Sequence, residues 1–169
     1  MAFRVTDAVL GLQPIAETST TQRHPVGKIV RAADPTLGEG EFIYLKGVAS
    51  TAVGLVVSYN TSSFTTTLGA IARNLPNPVA VAMSANVASQ WGWYQIGGIA
   101  TAAKSTATSL AEAAAIGLLT AATGLVVASA TDREVQGAFV AAVASAVSGT
   151  TTDTILICIN RPRMQGRLA

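Results

Sequence analysis

The chain is poor in the groups that perform chemistry. Its 169 residues include one histidine, His24, and one cysteine, Cys158. Nucleophilic catalysis needs a base held rigidly at hydrogen-bond distance from its nucleophile. His24 stands beside a proline in "QRHPVG", inside an irregular stretch badly suited to that task. A zinc site needs three or four His or Cys ligands, and the two present lie near opposite ends of the chain. A single cysteine excludes an intramolecular disulfide. In the apolar run "TILICIN" Cys158 reads as a buried, inert thiol. The glycines of "IGGIA" are not followed by Lys-Ser/Thr, so they read as a bulge or a close backbone contact within a strand, not as a phosphate loop. The expectation is a protein that is not an enzyme, with no catalytic residue, cofactor or metal.

Charge is scarce too, at 12% of residues, about half the usual share. The net charge of +2 gives little support to nucleic-acid binding. Arg161, Arg163 and Arg167 gather near the C-terminus without an acid between them. They read as a solvated tail or as a short basic hook for an acidic partner surface. Ten of the twenty charged residues fall in 1–46 and only three, Arg73, Lys104 and Glu112, in 47–130. The 18 uncharged residues 113–130 are near the minimum for a membrane-spanning helix. Glycines, threonines and a serine interrupt them, and no basic flank or aromatic belt accompanies them. Two strands turning at "TAATG" (120–124) are expected there instead, and no membrane partner. The opening "MAFRVTDAVLG" lacks the continuous apolar core of a secretory signal.

What the chain does have is alanine and threonine, 31 and 20 of them, in short alternating runs. "GEGEFIYLKGV" (38–48) places Phe42 and Tyr44 on one face and Ile43 and Leu45 on the other, as in a strand covered on both sides. "VGLVVSYN" (53–60) alternates next, and "ASTA" between the two fits a hairpin. "FTTTLG" fits an edge strand. "VAVAMS", "WGWYQIGGIATA", "GLVVASAT", "VQGAFVAAV" and "TDTILICINRPR" continue the pattern. Ile155, Ile157 and Ile159 share one face of the last strand, which Pro162 ends. In 109–122, Ser109 and Glu112 have capping-box spacing and the composition favours helix, while the flanks favour strand. The segment is read as β, with a short helix near 109–120 as the alternative. Asp34, Glu39 and Glu41 form the one carboxylate cluster, without the spacing of a calcium loop.

These signals predict an all-β protein: a compact β-barrel or β-sandwich over 27–164, an extended N-terminal arm over 1–26 and a tail over 165–169. An Ala/Val core buries modest apolar area for its length, so oligomerisation would supply the missing burial. The arm reads as a floppy terminus or as a segment that orders against a neighbouring subunit, and deletion of residues 1–25 is expected to leave the domain folded but to weaken attachment to its partner. On the strand that starts at Trp91, Trp91, Trp93 and Gln95 point one way and Tyr94 and Ile96 the other. Tyr94 and Ile96 are expected to face the core, with the tryptophans covering or covered by neighbouring chain. The candidate partner or subunit interface comprises Trp91, Trp93, Tyr94, Arg161, Arg163, His24 and Arg23.

Three stretches carry a resemblance: "GKIVRAADPTLGEGEFIYLKGV" (27–48), "NPVAVAMSANVASQWGWYQIGG" (77–98) and "INRPRM" (159–164). Together they resemble the head decoration, or cement, proteins of tailed bacteriophages over roughly 27–164. The resemblance implies a β-rich domain that binds the outside of an assembled capsid, often as a trimer, and strengthens it. It implies the major capsid protein and further copies of the chain as partners, and the virion exterior as location after synthesis in the bacterial cytoplasm. It also implies no catalysis and no cofactor; that nucleic acid is not a partner is expected from the low net charge. The rival readings are another virion component (head fibre, tail or minor capsid subunit) and a carbohydrate-binding β-domain using Trp91, Trp93 and Tyr94 as a sugar platform.

Overall fold

The computed structural model describes residues 4–7, 11–69, 75–105, 109–131, 133–142 and 153–166. They form twelve strands and no helix: β1 Arg4–Val5, β2 Thr18–Ser19, β3 Ile29–Asp34, β4 Gly38–Lys46, β5 Val56–Tyr59, β6 Thr66–Leu68, β7 Val79–Ala82, β8 Trp91–Lys104, β9 Ala115–Leu118, β10 Val126–Ala128, β11 Glu134–Val140 and β12 Asp153–Met164. All twelve belong to one connected sheet.

The long strand β8 organises it. Its first half pairs with β4 on one edge and β7 on the other. β7 continues to β5 and β5 to β6, and Thr65 bridges back to Lys46 of β4. The pairings therefore close a first ring. Ile43, Leu45, Val57, Ala80, Ala82, Tyr94 and Ile96 fill it. The second half of β8 pairs with β12, then β11, β9 and β10, and Val126 of β10 returns to Lys104 at the end of β8. This closes a second ring, packed with Ile116, Leu118, Val126, Val140 and the Ile155–Ile157–Ile159 face of β12. The alternation that marked Ile155, Ile157 and Ile159 in the sequence is thus a strand with one face in a ring interior.

β8 passes from one ring to the other at a bulge. Glu41 opposes Gly97 while Phe42 opposes Gln95, which leaves Ile96 as the extra residue. Gly98 follows with φ +92°. The glycine pair of "IGGIA" is therefore a bulge with close backbone contact, as expected from the sequence.

The reading of 109–122 as β holds over its helical alternative: Ala113 adopts φ 61°, which ends any helical turn begun at Ser109, and Ala115–Leu118 is strand β9. Leu118, Gly117 and Ile116 pair with Val126, Val127 and Ala128, so the uncharged stretch is two strands about a turn, with Gly124 at φ 71°. The β4–β5 hairpin across "ASTA" does not form, because β5 pairs with β6 and β7. Pro162 does not end β12. The strand runs to Met164 through an irregularity in which Gly137 alone faces Asn160, Arg161 and Pro162. A proline lacking its N–H is tolerated where the ladder is already broken.

The largest revision concerns residues 1–26. Among the described residues, no arm extends away. Arg4 and Val5 add to the edge of β3, and residues 11–26 form a strap across the outer face of β3, β4 and β8. Ile15 of the strap is buried with Val30, Ala32, Phe42, Tyr44 and Trp93. That face carries large apolar side chains and must be shielded from water. The strap's irregular sequence gives no period by which its inward residues, Gln13 and Ile15, could be recognised.

Candidate functional site

The sequence concentrates its aromatics at 91–94, and the structure divides them. Trp93 and Tyr94 are both fully buried, on opposite faces of β8. Tyr94 lies in the first ring, as expected, and Asn86 Nδ2 donates to its hydroxyl at 3.0 Å. Burial raises the Tyr94 pKa, partly offset by hydrogen bonds to Thr66, Asn86 and Thr51. Trp93 lies beneath the strap and donates from Nε1 to the main-chain oxygen of Gln13 at 2.9 Å. The neighbouring chain that covers it is the protein's own N-terminal segment.

His24 sits in the same nest. Its ring packs edge-on against Tyr44, with centroids 5.1 Å apart, and against Trp93 at 5.5 Å. The main-chain N–H of Gln13 donates to His24 Nε2 at 3.1 Å. The Tyr44 hydroxyl donates to Gln13 Oε1 at 3.1 Å and accepts from the Arg23 main-chain N–H at 3.3 Å. Desolvation, then the nearby Lys28 and Arg23 charges, lower the His24 pKa. With Nε2 occupied as an acceptor and the ring enclosed, His24 has no access to a substrate.

Trp91, on the rim of this nest, is half-buried and carries Lys46 Nζ 5.6 Å above its ring, a cation–π contact. Gln13 Nε2 reaches the Trp91 main-chain oxygen at 3.4 Å. Four of the seven expected interface residues (Arg23, His24, Trp91 and Trp93) thus converge on one locus. Only Arg23 is exposed there and Trp91 partly so. Trp93, Tyr94 and His24 are withdrawn from the expected interface: each is consumed inside the chain, because the strap covers one face of β8 and the first ring covers the other. For the same reason Trp91, Trp93 and Tyr94 do not form a sugar platform.

Arg161 and Arg163 lie elsewhere, exposed near the end of β12. Arg161, at φ 44°, directs Nε and Nη2 to Glu41 Oε2, both at 3.3 Å. Arg31 reaches Glu41 Oε1 at 3.5 Å from the other side. These three side chains, with Glu39, Gly97, Gly98 and Asn160, line an open cleft of about 400 Å3 where β3, β4, β8 and β12 meet. Arg163 is engaged by Gln136 Oε1 at 3.2 Å. Arg167 falls outside the described residues. The carboxylate cluster disperses: Asp34 accepts from the Thr36 and Leu37 N–H groups and caps the β3–β4 turn, while Glu41 serves the arginines. Among the described residues, no group of three or more His, Cys, Asp or Glu is placed to hold a metal ion.

Arg31 is the cleft residue that the sequence did not single out. A signal existed, since folding the hairpin about "DPTLG" sets Arg31 directly opposite Glu41. Gln13 had none; its role depends on a strap that crosses to a strand almost eighty residues away. Both arginines of the cleft are well exposed, and such pairs contribute little to stability. Glu41→Gln is expected to lower unfolding free energy by no more than about 1 kcal/mol, measured by urea unfolding with circular dichroism; a larger loss would make the cleft part of the fold's scaffold.

No protein-family model matches this chain, and no curated protein matches it significantly.

Proposed function

We propose that this chain is a virion structural protein of a tailed bacteriophage. It binds the outer surface of the assembled capsid and stabilises it through protein–protein contacts, as a homo-oligomer whose expected form is a trimer. The observation that carries the reading is the convergence of the three stretches with the resemblance. They are separate in sequence but contiguous in the fold. Residues 27–48 form the β3–β4 hairpin, 77–98 contain β7 and the first half of β8, and 159–164 end β12. Asn160 pairs with Gly97, Pro78 bridges Arg163, and Arg161 binds Glu41. The three stretches thus lie against one another in the fold, which is what supports the reading.

The scarcity of charge does not by itself mark a partner surface. The uncharged block 74–103 includes β7 and most of β8, which are buried within the chain itself. Among the described residues, the exposed end of β12 offers basic groups to a partner: Arg161 and Arg163 face solvent, and Arg31 shares Glu41 with Arg161. An acidic capsid surface is the complementary partner.

The test is co-expression with the major capsid protein encoded in the same virion gene cluster. The chain is expected to co-sediment with assembled shells in fixed proportion to capsid subunits, and to elute alone as an oligomer of its 17.2 kDa unit. The Arg161→Ala/Arg163→Ala double variant is expected to fold normally and to reduce shell occupancy at least tenfold. A stable monomer that stays in the supernatant would overturn the proposal. Occupancy at only a few copies per particle would favour a tail or head-fibre role.

A further inference from the structure

The strap over Trp93 is fastened by acceptors and donors that a single proton can disturb. Within the strap the Gln13 N–H donates to His24 Nε2; across to the sheet its Oε1 accepts from the Tyr44 hydroxyl, its main-chain oxygen from Trp93 Nε1, and its Nε2 reaches the Trp91 main-chain oxygen. The first exists only when Nε2 carries no proton, so His24 must be the neutral tautomer protonated at Nδ1. Addition of a proton at Nε2 turns the acceptor into a donor that faces the Gln13 N–H. The pair then repels, and a buried main-chain donor loses its partner.

We propose that His24 is a pH-operated latch, and that its protonation under mildly acidic conditions releases the strap of residues 11–25 and uncovers the Phe42–Tyr44–Trp93 face of the sheet.

The surroundings of the ring favour release over accommodation of the charge. The strap brings Arg23 beside it, and the approach to β3 brings Lys28; both repel an imidazolium. Glu17, the strap's acid, engages Gln13 Nε2 through its main-chain oxygen. β4 contributes the Tyr44 phenol, whose own pKa is raised by burial, so it stays protonated throughout the range concerned. β8 contributes Trp93, which does not ionise. Besides these bonds the strap is held by the β2–β8 pair at Thr18 and Ser19, by the Arg23 N–H on the Tyr44 hydroxyl, and by burial of Ile15 with Leu12 packed beside it.

The sign follows from linkage. The folded-state pKa of His24 lies below its ordinary value of 6.5, so the released state binds the proton more readily. The latch is therefore fully closed above pH 6.5 and weakens as pH falls below it, towards the folded-state value.

Two measurements test this on the full chain. In a Trp91→Phe background, Trp93 emission reports cover of the nest, and amide hydrogen exchange reports the strap. The expected result on going from pH 7.5 to pH 5 is a reversible red shift of Trp93 emission. At pH 5, strap amides should exchange at least tenfold faster than in His24→Gln, which keeps an acceptor that does not titrate, while β8 and β12 stay protected in both. An identical acid response in His24→Gln would overturn the proposal, as would strap amides that stay protected at pH 5 in both proteins. Should His24→Gln not fold, the NMR titration of His24 Cε1–H in the parent decides: a midpoint coinciding with the Trp93 transition upholds the latch, and a separate midpoint overturns it.

Discussion

Trp93→Ala is expected to destabilise the protein by about 3–5 kcal/mol, the range for removing a large aromatic from a packed interior. Trp93 is fully buried, packs at a tilt against both His24 and Tyr44 and donates to Gln13 of the strap. Its loss leaves a cavity and an unpaired main-chain acceptor in the same place. Urea unfolding should therefore show a lowered midpoint. Hydrogen exchange should show strap amides that have lost protection even at pH 7.5, where the His24 latch is closed. Trp91→Ala is the internal comparison. Trp91 is only half-buried, and its loss removes a rim contact with Lys46, so about 1 kcal/mol is expected. Equal losses for the two tryptophans would show that the strap does not close over Trp93 as described.

The second large effect concerns the bulge in β8. Gly98→Ala is expected to destabilise by about 3 kcal/mol, from strain at a positive φ together with a backbone clash. A Cβ at Gly98 would collide with the main-chain oxygen of Glu39 and come within 3.1 Å of Gly40 Cα. Main-chain atoms of a paired strand cannot step aside as a side chain can. At Gly97 the nearest atoms to a new Cβ are the Glu41 side chain, at 3.3–3.6 Å. Gly97→Ala is therefore expected to cost about 1 kcal/mol or less, as that side chain shifts. Thermal unfolding of the two variants checks the contrast. If Gly98→Ala melted like Gly97→Ala, the close approach of β4 and β8 at the crossover would be wrong.

One strand serves two rings: Tyr94 and Ile96 fill the first, and Ala100 and Ala102, at the same period-two spacing, enter the second, with the bulge at Ile96 and the positive φ of Gly98 between them.

Much of the fold was legible because strands announce themselves by period two. β4 was read with both of its faces correctly assigned, since Phe42/Tyr44 and Ile43/Leu45 are apolar on both sides. The Ile155–Ile159 face of β12 and the β9–β10 pair were read for the same reason. Expectations failed where geometry depends on partners. "ASTA" is a plausible turn, but β5 found better neighbours in β6 and β7. The β reading of 109–122, by contrast, held against the capping-box spacing of Ser109 and Glu112, because the ring takes Ile116 and Leu118 and tertiary packing outweighs propensities worth a few tenths of a kcal/mol per residue.

The candidate site followed the same division. The composition set the chemical limits: one histidine, one cysteine and few charges restrict what any arrangement can do. The basic end of β12 could be seen in "NRPRM", and the opposition of Arg31 and Glu41 could be worked out from one hairpin. The aromatic cluster suggested an exposed contact surface, because a dense uncharged stretch looks the same in sequence whether it is covered by another chain or by its own. The sequence by itself determined that this protein is all-β, which side chains share each strand face, and that its ionisable groups are too few and scattered for a crowded polar centre. Only the tertiary structure decided that β8 lies between two rings, that residues 11–26 close over Trp93, and that His24 of that segment packs against Tyr44 and Trp93. The physical reason is range: strand alternation is written in neighbouring residues, but burial of Trp93 depends on Gln13, and no local pattern reports which distant segment will cover a given face.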